Sequence, residues 1–195
     1  MDVEAVNRSL FLALNAPAGL AGVSLNLAIG AAKYSIVALA VIVLWRWLRG
    51  ALHDRSVLVH VVLAVLPALA INYVVGLVFF HPRPFMVGLG HTYLAHAPEA
   101  SFPSDHATFM WTIAFGLLYW SPARASSWVA LLLAGLTSWA RVFLGVHFPF
   151  DIAGSMAVAL LSVAAFAPLR ALTARRIAEP IEAAYVFITR RMGWR

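Results

Sequence analysis

The chain has 195 residues, of which 63% are hydrophobic and only 11% charged, with a mean hydropathy of +0.86. A soluble domain of this length carries about a quarter charged residues, so the composition excludes one and belongs to an integral membrane protein. The net charge of +6 is not a nucleic-acid footprint: most of the fourteen Lys and Arg residues lie in two short loops and the C-terminal tail, where basic charge marks topology. There is no cysteine, which removes disulfides and thiolate metal sites. One domain is expected over residues 1–195.

Asp2 and Glu4 stand where a signal peptide would carry positive charge, so no cleavable signal is expected. Residues 3–14 set Phe11, Leu12 and Leu14 against Glu4, Asn7 and Arg8 at helical spacing. That pattern predicts a short interfacial helix, ended by Asn15-Ala16-Pro17. A first span falls within 24–48, and Arg46, Arg49 and Arg55 surround the loop after it. Residues 57–80 are long enough to cross about 30 Å of hydrocarbon, with a kink expected at Pro67. Residues 81–105 form a loop rich in Pro, Gly and His, and loops of that length usually carry function. Three further spans follow at 106–120, 128–143 and 152–169. Arg170, Arg175, Arg176, Arg190, Arg191 and Arg195 populate a tail that reads as an amphipathic surface helix. The expected fold is an all-α polytopic membrane helix bundle of five transmembrane helices, six if the N-terminal segment crosses. No internal repeat is present.

With five spans, the loop of 46–55, the loop holding Arg124 and the arginine-rich tail share one face, which the positive-inside rule makes cytoplasmic. The opposite face then receives three polar islands: His81-Pro-Arg83-Pro84, Ser101-Phe-Pro-Ser104-Asp105-His106, and Arg141 to Asp151. Ionisable groups at the edge of hydrocarbon are costly and mark functional sites.

The residue types point to phosphate chemistry. Arginine presents a planar, permanently charged fork that matches two phosphate oxygens. Ser104 and the free N–H groups opening the third span would meet an anion at a helix N-terminus. Pro149 disfavours a helical Phe148, which leaves His147 just outside the fifth span and puts Asp151 in its first turn. From there Asp151 can accept the Nδ1–H of His147 and leave Nε2 free to attack, while His106 can protonate a leaving oxygen.

The strings Arg83-Pro84, Pro103-Ser104-x-His106 and Arg141-x5-His147-x3-Asp151 resemble the three-part signature of the type 2 phosphatidic acid phosphatase superfamily. Pro-Arg-Pro-Phe (82–85), Ala-Ser-Phe-Pro-Ser-Asp-His (100–106) and Gly-Val-His-Phe-Pro-x-Asp (145–151) are similar to its bacterial undecaprenyl-diphosphatase branch. The resemblance implies hydrolysis of a polyprenyl diphosphate to the monophosphate at the outer face of a bacterial plasma membrane. It implies a phosphohistidine intermediate and neither metal nor other cofactor. Residue by residue, His147 corresponds to the nucleophile, Asp151 to its orienting partner and His106 to the general acid. Arg83, Ser104 and Arg141 correspond to phosphate-binding groups, with Asp105 beside them in the second motif.

The sequence departs from the signature at three places. Gly76 stands where the superfamily has a lysine, Asp105 where the motif has glycine, and Ala140 where a serine precedes the third-motif arginine. Lys33, the only lysine, is the candidate to replace the missing cation, its alternative role being to snorkel to headgroups. Ser104 and Asp105 are also expected to cap the third span. His81, His91, His96 and Glu99 lack the spacing of common zinc motifs and read as solvated loop residues, and His60 and Asn72 as contacts between helices. A broad phosphatidate or phosphatidylglycerol-phosphate phosphatase is the rival within the class. A transporter or non-catalytic lipid-binding protein is the rival outside it, disfavoured because the ionisable groups cluster at one face rather than inside several spans. The lipid is the expected partner; the sequence leaves the oligomeric state open.

Overall fold

The computed structural model describes residues 2–191 and is all helical over them. An N-terminal helix α1 (Val3–Leu14) precedes two long helices, α2 (Gly22–Arg49) and α3 (Leu52–Val78). The polar connection that follows contains only one 3-10 turn, Pro84–Val87. It leads into α4 (Asp105–Trp120), α5 (Arg124–Phe143) and α6 (Pro149–Phe166). A 3-10 turn, a one-turn helix α7 (Arg170–Thr173) and a π turn (Ala174–Ala178) then carry the chain into α8 (Glu179–Arg191). The tail is therefore helical as expected, but it prolongs the rod of α6 rather than starting a separate surface helix. Arg195 lies outside the described residues.

Four helical stretches are long and apolar enough to cross a membrane: α2, α3, α5, and the rod from Pro149 to Arg191. Their outward faces carry Leu27, Val41, Leu44, Leu66, Leu132 and Leu161, all exposed, as lipid contact requires. This is a multi-pass membrane protein. The shorter α4 is the central helix, packed against α3, α5 and α6, while α2 leans mainly on α5. Lipid tails are as apolar as the helices, so association rests on close packing, and small residues supply it. Ala64, Ala114, Ala130, Ala134 and Ala159 are fully buried. At Gly116 an added Cβ would lie 3.1 Å from Val61, so α3 and α4 approach here at a distance that only glycine makes comfortable. Pro67 sits inside α3, which stays helical through it.

The two ends of the bundle differ. At one end Arg46 is buried and pairs with Asp54, while donating to Ser121 at 2.8 Å and Ser126 at 3.1 Å. Arg55 beside it bonds Glu182 at 3.1 Å and lies over the Tyr185 ring, tying α8 to α3. These two arginines, expected around a cytoplasmic loop, are also pins between helices. The other end gathers α1, the 81–104 connection and the α5–α6 turn. Asn15 holds it together, donating to the carbonyls of His91 (2.9 Å) and Phe143 (3.0 Å) and accepting from the His91 N–H (2.7 Å).

Candidate active site

The site is built on the start of α6. Pro149 opens the helix, where its missing N–H costs nothing. Asp151, two residues on, turns its carboxylate back to accept the Phe148 N–H at 2.7 Å, a bond the helix dipole favours. Asn7 of α1 accepts the Phe150 N–H at 3.0 Å, so α1 caps the same helix from outside. Behind the turn, Phe11 of α1 is fully buried edge-on to Phe148, with ring centroids 5.2 Å apart. Gly145 has φ +80, and an added Cβ would collide with the His91 carbonyl. Only glycine lets the chain turn there and deliver His147 inward.

His147 and Asp151 are both buried, and His147 Nδ1 lies 3.2 Å from Asp151 Oδ2. The Ser101 hydroxyl donates to the same oxygen. With Nδ1–H donated to Asp151, Nε2 presents a lone pair, and three donors converge on it. They are Arg83 Nη1 at 3.1 Å, Ser104 Oγ at 3.1 Å and Arg141 Nη2 at 3.5 Å. Burial lowers His147 to about 3, despite the opposing pull of Asp151, so the imidazole is held neutral.

Each arginine is set differently. Arg83 is buried and braced by backbone, donating to the carbonyls of Glu99 (3.2 Å), Val146 (3.0 Å) and Ala100 (3.2 Å), with the Glu99 carboxylate at 3.5 Å. Burial lowers its pKa from the ordinary value. Arg141 at the end of α5 is also buried, yet its Nε has no hydrogen-bond partner. A buried guanidinium N–H left unpaired is costly, and an anion would relieve that cost.

A cavity of about 460 Å³ opens above His147, lined among others by Arg83, Arg141, His106, Asp105, Asn72 and Gly76. A smaller one of about 300 Å³ shares Arg141, His106 and His96 with it and adds Lys33 from α2. The eight residues singled out in the sequence therefore converge on two neighbouring cavities: His147, Asp151, Arg83, Ser104, Asp105, His106 and Arg141 about the larger, Lys33 at the smaller.

Three readings change. Ser104 occupies the N-cap of α4, but its side chain makes no cap bond; the hydroxyl is turned to His147 instead. Asp105 meets Asn72 Nδ2 at 2.9 Å, and Asn72 exchanges hydrogen bonds with Thr108. Asn72 thus joins two helices, as expected, and also lines the cavity. His81, His96 and Glu99 are not simply solvated. Glu99 braces Arg83, and the half-buried His96 ring faces His147 with centroids 6.1 Å apart. His81 reaches Asp151 and Glu4. His91 and Glu99 keep exposed side chains, Glu99 while reaching Arg83. Ser101 was missed as a partner of Asp151, although it stands in the second motif string. Among the described residues no three His, Asp or Glu side chains cluster as metal ligands.

Fold and site together define a polytopic membrane phosphatase. The chain belongs to the PAP2 superfamily, whose family profile matches residues 57–174. It is 38% identical to the undecaprenyl-diphosphatase BcrC of Bacillus subtilis over 66% of each chain. It is 35% identical to YbjG of Escherichia coli K12, provisionally named an undecaprenyl-diphosphatase, over 82% of this chain and 80% of that one. Among solved structures, Aquifex aeolicus LpxE superposes with a TM-score of 0.68 at 20% identity, covering 86% of this chain and 99% of its own. A PAP2-type phosphatidylglycerolphosphate phosphatase from Bacillus subtilis gives 0.59 at 20% identity, covering 86% and 85%. At that identity the two structures speak to the fold alone.

Proposed function

We propose that the chain hydrolyses undecaprenyl diphosphate, or a closely similar polyprenyl diphosphate, to the lipid monophosphate and inorganic phosphate. The observation that carries this is the convergence of Arg83, Ser104 and Arg141 on the Nε2 of a neutral, buried His147. Donors that meet at that lone pair would surround the three outer oxygens of a phosphoryl group placed against it. The names of BcrC and YbjG support the choice of lipid.

In this reading His147 Nε2 attacks the terminal phosphorus, the bond to the bridging oxygen breaks, and His106 delivers a proton to that oxygen. Asp151 stabilises the positive charge that develops on the phosphorylated imidazole. A water, deprotonated by the now neutral His106, then attacks phosphorus and frees His147. Asp105 carries a carboxylate and would bind phosphate only through its backbone N–H in the first turn of α4. Lys33 would supply from α2 the cation that Gly76 cannot supply from α3.

Residues 1–195 act as one domain, with α2, α3, α4, α5 and the α6 rod as five spans and α1 at the interface. The cavity faces the outside of a bacterial plasma membrane, where a lipid headgroup enters without leaving its leaflet. Purified protein offered undecaprenyl diphosphate and phosphatidylglycerol phosphate side by side, with chelator present, tests the reading. Orthophosphate released faster from the diphosphate is expected. Early pyrophosphate would overturn the point of attack, and preference for the glycerol lipid would overturn the substrate.

A further inference from the structure

Asp151 uses its two oxygens unequally. Oδ2 collects His147, Ser101 and the Phe148 N–H, whereas Oδ1 is buried with no hydrogen-bond partner. A buried carboxylate oxygen without a donor is destabilising. On its open side stands His81, whose Nδ1 is 3.6 Å away and is itself buried and unpartnered. Two orphaned atoms of opposite role, facing each other just beyond hydrogen-bond range, need only a few tenths of an ångström to pair.

The rest of His81 is built to hold it there. Its ring is stacked on Phe79, with an interplanar angle of 8°, and lies edge-on to Phe148 at 5.3 Å. Its carbonyl accepts the Ser101 N–H at 2.8 Å, which fixes the backbone beside the Asp151 partner. Its Nε2 lies 3.3 Å from Glu4 Oε2 on α1. Both ring nitrogens therefore face carboxylate oxygens, which only accept. Each contact is satisfied when the nitrogen that faces the carboxylate carries hydrogen.

We propose that His81 is a positioning residue for the phosphatase reaction, acting on Asp151 from the side opposite His147, with Glu4 of α1 behind it. The chain of groups runs Glu4, His81, Asp151, His147. His81 donates to Oδ1 and locks the carboxylate plane, so that Oδ2 stays aimed at His147 Nδ1 as charge develops on the imidazole. It touches neither the phosphate-binding donors nor the cavity wall, so it governs turnover rather than binding. Glu4 makes α1 part of the catalytic apparatus as well as a cap on α6.

The proposal rests on the assignment of His147 and Asp151 above, and on no particular lipid. The test measures kcat and KM for His81→Phe, Glu4→Gln and the double variant, on whichever lipid phosphate the wild type turns over best. Phenylalanine preserves the packing between Phe79 and Phe148, and thermal unfolding in detergent reports whether each variant is folded. His81→Phe should lower kcat about 10- to 100-fold, the cost typical of removing an outer-shell partner, with KM little changed. Glu4→Gln should lower kcat less, and the double variant should be no slower than His81→Phe, because glutamine can still accept from Asn7 and the contact that changes toward the site is the one with His81. His81→Gln, whose amide donates to one carboxylate without a charge, should recover part of the loss. Wild-type kcat in folded His81→Phe would overturn the proposal, and so would a Glu4→Gln loss that multiplies fully onto it. A wild type that ignores undecaprenyl diphosphate but hydrolyses another lipid phosphate would sink the substrate reading alone.

Discussion

The imidazole of His147 sits between a carboxylate that fixes its tautomer and three donors that wait for an anion. His147→Ala removes the attacking atom, and no other imidazole shares its contact with Asp151 Oδ2. Turnover in a phosphate-release assay should fall by at least about 10⁴-fold. Asp151→Asn keeps the shape but exchanges an acceptor for a donor at one position, which favours the wrong tautomer, and a loss approaching about 10⁴-fold is expected with the protein still folded. Most of the wild-type rate in folded His147→Ala would falsify the phosphohistidine mechanism. Burial also makes His147 a pH-dependent element of stability. Its folded value of about 3 lies below the usual value of about 6.5. Between those values the unfolded chain takes up a proton that the folded protein does not, so stability is lost as pH falls through that window. Thermal unfolding in detergent should show a lower midpoint at about pH 5 than at about pH 7, and His147→Gln should shrink the difference. An unchanged difference in that variant would show that other groups govern the acid side.

The α5–α6 turn is the element on which the site depends most. Arg141 ends one helix, Asp151 begins the next, and the few residues between them must place His147 beneath both arginines. Gly145 takes a positive φ with the His91 carbonyl against it, while the Tyr93 N–H bonds the Leu144 carbonyl at 3.0 Å. Gly145→Ala combines left-handed backbone strain with a collision, costing about 1–3 kcal/mol. Activity should fall further than stability, since the displaced group is the nucleophile's own backbone. Circular dichroism with a turnover assay checks this: a variant as active as wild type would mean that the turn yields without moving His147. Helix α1 is the other supporting element, since Asn7 caps α6 and Phe11 packs under Phe148.

The bundle as a whole separates its charges. One end holds the cavity; the other holds Arg46, Arg55 and Arg124, each bonded to a neighbouring helix or turn. In the proposed orientation the cavity end faces outward. A cysteine at the exposed His91 should then react with an impermeant thiol reagent in intact spheroplasts, and one at the exposed Ala125 should react only after lysis. The reverse pattern would invert the protein in the membrane.

Much of this protein was legible from composition and order along the chain. Hydrophobic runs long enough to cross a bilayer specify helices, because backbone groups in lipid must pair within their own segment. Short motifs named His147, Asp151, Arg83, Ser104, Arg141 and His106, because their chemistry follows from residue type and near neighbours. Pro149, by fixing where the helix starts, even placed Asp151 in the first turn of α6. What only the tertiary structure decided are pairings between residues distant in sequence. Ser101 meets Asp151, Asn72 meets Asp105, and Glu4 meets His81, none of which carries a periodic signal. The same holds for Arg46, which charge counting places beside a cytoplasmic loop but whose partners Ser121, Ser126 and Asp54 only the packing selects. A polar side chain in a low-dielectric interior must find a partner, and packing rather than sequence neighbourhood selects which one.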